Sequence, residues 1–260
     1  MQALSVIILA RNEARTIAAA VESAIQVSND VIVVDSGSTD ATIDLSKAAG
    51  ARVIAINWPG YGEARNLGAL AALHDQILCI DADEVITSAL AASINGIAFN
   101  PDVIYGFKRR NFLGSREITH GEWGHDQVYR IYNRKYARWN HDKVHEMICF
   151  TWGVEAGAGQ SSRASKDIIA GSLLHYTTTD LALYSRKLDR YAQLSAEKYF
   201  SNGKKASVAK RYLSPVFSFI KNYIVRLGFL DGKNGLQIAL LHAGYTRNKY
   251  RYLQKLYKQA

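Results

Sequence analysis

Short apolar blocks recur along the first hundred positions, each followed by a polar break and a segment with apolar residues three and four apart. Ser5-Val6-Ile7-Ile8-Leu9 is the first block. Asp30-Val31-Ile32-Val33-Val34, Arg52-Val53-Ile54-Ala55-Ile56 and Gln76 to Ile80 are the next three. Continuous apolar runs this short, bounded by turn residues, predict strands buried on both faces. Between the first two, Ile17, Ala20, Val21, Ala24 and Ile25 mark an amphipathic helix. Further helices are expected up to Ala49, from Glu63 to Leu73 and from Thr87 to Ile97, with Thr39 or Asp40 capping the first of these and Thr87 the last. Four strands alternating with helices predict a parallel, doubly wound α/β sheet.

From Tyr105 the pattern changes. Tyr105 to Phe112 and Gln127 to Asn133 read as strands of a mixed sheet, rich in aromatic and basic residues. Gly153 to Lys166 is a polar loop of small residues, and Ile168 to Tyr176 is again apolar. From Leu181 the periodicity is helical to the end. Pro215 after Ser214 suits a helix start, and Phe217, Ile220, Tyr223, Ile224 and Leu227 follow at helical spacing with Lys221 and Arg226 interleaved.

Composition narrows the class. A chain of 260 residues with only 3 prolines has room for one large domain or a domain with a subdomain, without long disordered linkers. Two distant cysteines, Cys79 and Cys149, form no C-x-x-C and fit a reducing compartment. Met1-Gln2-Ala3 leads straight into a strand with no leader pattern, and no run of about 18 apolar residues predicts a membrane span. The net charge of +9 is unevenly spread. Residues 1–95 hold 5 Lys and Arg against 11 Asp and Glu, whereas residues 181–260 hold 16 against 3. A basic end of that kind implies an anionic partner: nucleic acid, an anionic membrane surface or a phosphorylated acceptor.

Candidate chemistry gathers at the ends of the predicted strands. In open parallel sheets those carboxyl ends form the ligand crevice. Here they carry Arg11-Asn12-Glu13, then Asp35 with Asp40, then the loop from Gly60 to Asn66, and finally Asp81-Ala82-Asp83-Glu84. Two carboxylates one residue apart can hold a divalent cation whose remaining ligands are substrate phosphates, although the same acids would also suit a solvated turn. The four features together suit a nucleotide diphosphate. The first turn, Ala10-Arg11-Asn12-Glu13, has neither G-x-G-x-x-G nor G-x-x-x-x-G-K-[ST], which argues against dinucleotide-binding Rossmann and P-loop proteins. It also lacks the glycine-rich basic loop of a sugar nucleotidyltransferase. No nucleic-acid-binding motif or stacking platform accompanies the basic end, so nucleic acid is not an expected partner.

These residues resemble the inverting family 2 glycosyltransferases with a GT-A fold. The resemblance rests on Ser5 to Ile8 with Arg11-Asn12-Glu13, on Val33 to Asp40, on Gly62-Glu63-Ala64-Arg65-Asn66-Leu67-Gly68 and on Asp81 to Glu84. The remainder resembles one branch, the bacterial lipopolysaccharide core glucosyltransferases that add a β-linked glucose to an inner-core heptose. That likeness rests on Val144-His145-Glu146, Leu174-His175-Tyr176, Gly203-Lys204-Lys205, Pro215 with Phe219-Ile220-Lys221, and Gly228 to Gly232. The resemblance implies a nucleotide-sugar-binding half in 1–100, an acceptor-binding half in 101–180 and a basic helical region in 181–260. It implies a UDP-sugar donor with Mg²⁺ or Mn²⁺, and a lipopolysaccharide core or other lipid-linked glycan as acceptor. The location it implies is cytoplasmic, on the anionic inner-membrane surface. Asp35 corresponds to the acid that contacts uracil or ribose, with Arg11 and Glu13 in the first nucleotide loop and Arg65 in the donor loop. Asp81 corresponds to the ribose-facing acid of the D-x-D pair and Asp83 to its metal ligand. Ser36 stands where the family more often has a second Asp.

Inversion needs a base for the acceptor hydroxyl and an electrophile for the leaving diphosphate. Three acids follow the parallel strands: Glu122, Asp126 and Glu146. Asp126 is the preferred base, because it stands just before a strand where the family places its acceptor-side acid; a structural partnership with Arg130 is the competing role. His145 and Glu146 are candidates for shaping the acceptor or leaving-group pocket. His175 is a candidate to complete the metal shell, set against a purely structural role in the core.

Overall fold

The computed structural model describes residues 3–142, 146–151 and 165–259. Val144 and His145, and the polar loop up to Ala164, lie outside the described residues. The chain forms β1 (Leu4–Ala10), α1 (Ile17–Ile25), β2 (Asp30–Asp35), α2 (Thr42–Ala48), β3 (Arg52–Ala55), α3 (Tyr61–Leu70), β4 (Gln76–Asp81), β5 (Glu84–Ile86) and α4 (Ser88–Gly96). After these come β6 (Val103–Leu113), β7 (Arg116–Ile118), a 3₁₀ turn (Trp123–His125), β8 (Asp126–Asn133), β9 (Ala137–Trp139), β10 (Ile148–Phe150) and β11 (Ser165–Thr178). Three long helices follow: α5 (Leu181–Ser201), α6 (Val208–Ile220) and α7 (Gly232–Gln259). A π-helical turn (Lys221–Val225) and a 3₁₀ turn (Gly228–Asp231) separate α6 from α7.

Two compact units result, one from residues 1–109 and 127–175, the other from 110–126 and 176–260. The main sheet has the order β3-β2-β1-β4-β8-β6-β11-β5, with β7 paired to β6. Its first four strands are parallel, while β8 runs antiparallel to β4 and β11 antiparallel to β5. This is the expected α/β arrangement: a parallel nucleotide-type half continued by a mixed half, with a helical C-terminal region.

Alternation along β1 sorts the first unit's core into two layers. Val6 and Ile8 point to one face, where they join Val33, Leu78 and Ile80 under α1 and α4. Ile7 and Leu9 point to the other, where they join Ile32, Val34, Ile77 and Cys79 under α3. Every residue of β1 and β2 is buried, as continuous apolar runs require. Strand β3 differs: it is the sheet edge and is partly exposed. Helix α3 lies close to the sheet because Gly68 has no side chain. A Cβ there would stand 2.5 Å from Ile7 Cγ2 and 2.8 Å from Val34 Cγ2. The helix stops at Leu70, three residues short of the expected end.

Two capping expectations resolve differently. Thr87 caps α4 by accepting the Leu90 N–H. Helix α2 has Ala41 at its N-cap, and Asp40 instead accepts the N–H groups of Thr42 and Ala14.

The second unit has its own small core of Ile118, Trp123, Tyr184 and Ile238, with Trp123 Nε1 donating to the Tyr184 hydroxyl at 3.2 Å. Pro215 does not start a helix. Ser207 does, accepting the Lys210 N–H, and Pro215 falls inside α6. The residues from Lys221 onward continue in a π turn rather than a regular α-helix, and Leu227 in the left-handed region ends it. Gly235 lets α7 approach the Gly228 carbonyl, which any Cβ would strike.

Filling the gap under α3 is expected to destabilise the first unit. Gly68→Val should cost about 2–3 kcal/mol by overpacking, measured by urea denaturation. Leu70→Ala, at a side chain 77% exposed, should change stability by no more than about 0.5 kcal/mol.

Candidate functional site

The parallel register brings the predicted features to one sheet edge. Ala10 lies beside Asp35 and Leu9 beside Asp81. The loops after β1 and β2 are tied together by side chain–backbone hydrogen bonds. Asn12, in the left-handed region, donates its N–H to Ser38 Oγ, and its Oδ1 accepts the Thr39 N–H. The Glu13 N–H donates to Thr42 Oγ1, and the Glu13 carboxylate accepts from Thr16. Arg11 is exposed at this rim. Asp35 is 1% exposed, and its carboxylate accepts from the N–H groups of Gly37 and Ser38, both at 2.9 Å, and from the Ser38 hydroxyl. It therefore builds the turn that follows β2, and any nucleotide contact would use its remaining lone pairs.

Behind the rim runs a buried chain of alternating charges. Arg65, 2% exposed, donates to Asp81 Oδ1 at 2.7 Å and to Glu146 Oε1 at 2.9 Å. Arg130 donates to Asp81 Oδ2 at 3.2 Å and lies 3.7 Å from Glu84 Oε1. Arg109 donates to the same Glu84 oxygen at 3.0 Å. Glu84 also accepts the Asp81 N–H at 2.8 Å, closing the acidic turn on itself. Three guanidiniums thus meet three carboxylates, so the buried charge sums to zero. Burial alone would raise the Asp81 pKa, but Arg65 and Arg130 overcome it and hold the carboxyl well below the usual range. Burial likewise opposes the charge on Arg65, and Asp81 and Glu146 reverse that effect, so Arg65 stays protonated.

The floor of this network is aromatic. The Arg65 guanidinium stacks 4.5 Å from the Trp139 ring centre, and Arg130 lies 5.6 Å from it. Asn66 fixes Trp139 by donating to its carbonyl and accepting its N–H, each at 3.0 Å. Gly62 leaves room for the Asn140 backbone directly behind. The Gly62-to-Gly68 stretch is therefore packing as much as site.

Asp83 stands apart from the arginines. Its Oδ2 lies 3.4 Å from His175 Nε2, and His175 sits on β11 opposite Glu84 of β5. Among the described residues no cluster of three or more metal-ligating side chains exists. One carboxylate and one imidazole nevertheless fit a cation that takes most of its ligands from a diphosphate and water. Asp81, engaged by two arginines, is the poorer ligand of the pair.

The three base candidates have different surroundings. Glu146 is ion-paired to Arg65 and Glu122 to Arg226. Asp126 opens β8, and its Oδ2 accepts from the neutral Asn111 amide at 3.0 Å. Arg130, expected as its competing partner, is drawn to Asp81 and Glu84 instead. Sequence reasoning named Arg130 only as a partner for Asp126 and missed Arg109 and Trp139. Their only signal was the basic, aromatic texture of the strands after Tyr105, because their partners are 25 or more residues away.

A sequence profile described as Glycosyl transferase family 2 matches residues 5–158. The chain belongs to glycosyl transferase family 2. An uncharacterized glycosyltransferase of Rickettsia prowazekii (strain Madrid E) is 26% identical over 94% of this chain and 84% of its own length. A lipopolysaccharide core biosynthesis glycosyltransferase of Rhizobium meliloti (strain 1021) is 27% identical over 92% of this chain and 90% of its own. Among solved structures, glucosyl-3-phosphoglycerate synthase from Mycobacterium tuberculosis, in complex with phosphoglyceric acid, covers 78% of this chain and 81% of its own at 18% identity and a TM-score of 0.48. Sugar transfer is the chemistry of this glycosyltransferase; donor and acceptor are narrower properties.

Asp81→Asn should destabilise the glycosyltransferase by about 3 kcal/mol at pH 7, since it leaves two buried guanidiniums short of a partner. The wild-type carboxyl has its pKa depressed by folding, so its contribution is complete above about pH 4–5 and is lost as pH falls further. Urea denaturation at pH 7, 5 and 3.5 should therefore show the gap between wild type and variant closing towards acid.

Proposed function

We propose that this family 2 glycosyltransferase moves a hexose from a UDP-sugar, with inversion, to a hydroxyl of a cell-surface glycan or lipid-linked acceptor. The observation that carries this reading is the meeting of Asp83 with His175 next to an Asp81 neutralised by two arginines, at the carboxyl edge of a parallel sheet. That arrangement offers Asp83 and His175 to a cation-bound diphosphate, beside a charge-balanced network that fixes Asp81. Glucose as the sugar, and a lipopolysaccharide inner-core heptose as the acceptor, form the finer reading. The Rhizobium relative's name supports a lipopolysaccharide core acceptor.

In this reading Arg11, Glu13 and Asp35 line the nucleotide side, Asp35 acting mainly through the turn it builds. Arg65 and Arg130 keep Asp81 ionised and oriented towards the ribose. A divalent cation, Mg²⁺ or Mn²⁺, held by Asp83 and His175 would neutralise charge on the leaving diphosphate. Asp126 takes the proton from the acceptor hydroxyl as the new glycosidic bond forms and the bond to the diphosphate breaks. The Asn111 amide donates to the Asp126 carboxylate and orients it.

Calorimetric titration with UDP and UDP-glucose should show binding that depends on Mn²⁺ or Mg²⁺, and none with an oligonucleotide. Asp126→Asn should lower turnover by about 10²–10⁴-fold while leaving UDP affinity within twofold; turnover like wild type would remove Asp126 from the role. Mass spectrometry of surface glycans from a deletion strain separates the acceptors: loss of one hexose from the lipopolysaccharide core supports the finer reading, and loss elsewhere supports another glycan.

A further inference from the structure

The second unit carries an apolar surface to which no residue of the proposed site belongs. Helix α6 buries none of its residues fully. Leu213, Val216, Phe217 and Ile220 on the helix, and Ile224 and Val225 on the π turn after it, are between 45% and 71% exposed. The same exposure extends to Val208 and Tyr212 before them and Phe229 and Leu230 after. The helical positions 208, 212, 213, 216, 217 and 220 fall on one side of α6, an arc of about half the helix circumference. A water-facing helix ordinarily places its polar residues there. A continuous exposed apolar strip of this length marks a docking surface.

Charge decides what docks. From Lys198 to Leu230 there are seven Lys and Arg and no Asp or Glu: Lys198, Lys204, Lys205, Lys210, Arg211, Lys221 and Arg226. Lys210 and Lys221 are exposed on α6 and at its end. A second copy of the chain would bring the same positive charge against itself. A nucleic acid would satisfy the lysines and leave the aliphatic side chains in water. An anionic bilayer satisfies both: the apolar strip enters the boundary between headgroups and acyl chains, and the lysine stems reach back to the phosphates. No described helix is long and apolar enough to cross a membrane, so the fit is to a surface and not to a span.

We propose that α6, together with the π turn and the 3₁₀ turn that follow it, is the face by which this protein lies on an anionic lipid bilayer, with Leu213, Val216 and Phe217 inserted and Lys210 and Lys221 at the phosphates. The surface is independent of the donor reading, and its test measures lipid binding alone. The full chain is sedimented with vesicles of phosphatidylcholine alone or with about a third phosphatidylglycerol, at low and high salt. Binding is expected to the anionic vesicles only and to weaken with salt. Phe217→Asp should reduce it more than tenfold, and Lys210→Gln with Lys221→Gln about 25-fold, at roughly fivefold per charge removed. Thermal melts of each variant should match wild type, because these side chains are already exposed. A tryptophan at position 213 (Leu213→Trp) should shift its emission to the blue on adding anionic vesicles. No binding at low salt, equal binding to both vesicles, or an unshifted Leu213→Trp emission would overturn the proposal. So would a dimer in light scattering that Phe217→Asp dissolves while the vesicles stay unbound, since that would make the face a contact between copies.

Discussion

A single buried guanidinium organises the first unit. Arg65 can be held out of water only because Asp81 and Glu146 take its two terminal nitrogens and Trp139 takes its face. Arg65 and its three partners come from four different stretches of chain: a helix, the end of a strand, a segment after β9, and β9 itself. An uncompensated buried charge costs several kcal/mol, so none of these pieces can shift alone. The network extends through Arg130 and Glu84 to Arg109, which links the parallel half of the sheet to its mixed half by alternating charge beside the apolar core they share.

The same economy appears in the loops. The turns after β1 and β2 are not held by a shared apolar core but by Asn12, Ser38, Thr42 and Asp40 satisfying each other's backbone groups. This is preorganisation: donors and acceptors are placed before a ligand arrives, and little reorganisation is needed on binding. Gly62 and Gly68 serve it from below by letting α3 approach β9 and the sheet, which sets Arg65 at the right depth.

The second unit follows another logic. Its core is small and partly polar, with the buried Asp231 accepting the N–H groups of Thr119 and His120. Segment 110–126 is part of this unit although helices supply most of the rest. A unit that buries so little of α6 leaves apolar surface over for a partner, and the absence of acids between Lys198 and Leu230 gives that surface a sign.

How much could be read in advance depended on the range of the interactions involved. The four parallel strands, their helices and the D-x-D turn were legible because apolar runs, periodicity and capping at Thr87 are local, and the resemblance carried by Asp35, Arg65 and Asp81 pointed to the family that the profile match then established. Local signals misplaced others: Pro215 looked like a helix start, yet Ser207 had already opened α6 one turn and more upstream. The strands β5, β7, β9 and β10 were too short for their periodicity to register. Which acid meets which arginine was not legible at all. Glu146 reaches Arg65 across 81 residues and Arg130 reaches Asp81 across 49, and charge pairing over such distances leaves no periodic trace. By itself the sequence determined the four parallel strands and the helices between them, the sheet edge where chemistry gathers and the charge of the basic end, because these follow from side-chain type and spacing. Only the tertiary structure decided that Asp81 is neutralised while Asp83 faces His175, because that division depends on which buried charges the fold could bring within hydrogen-bonding distance.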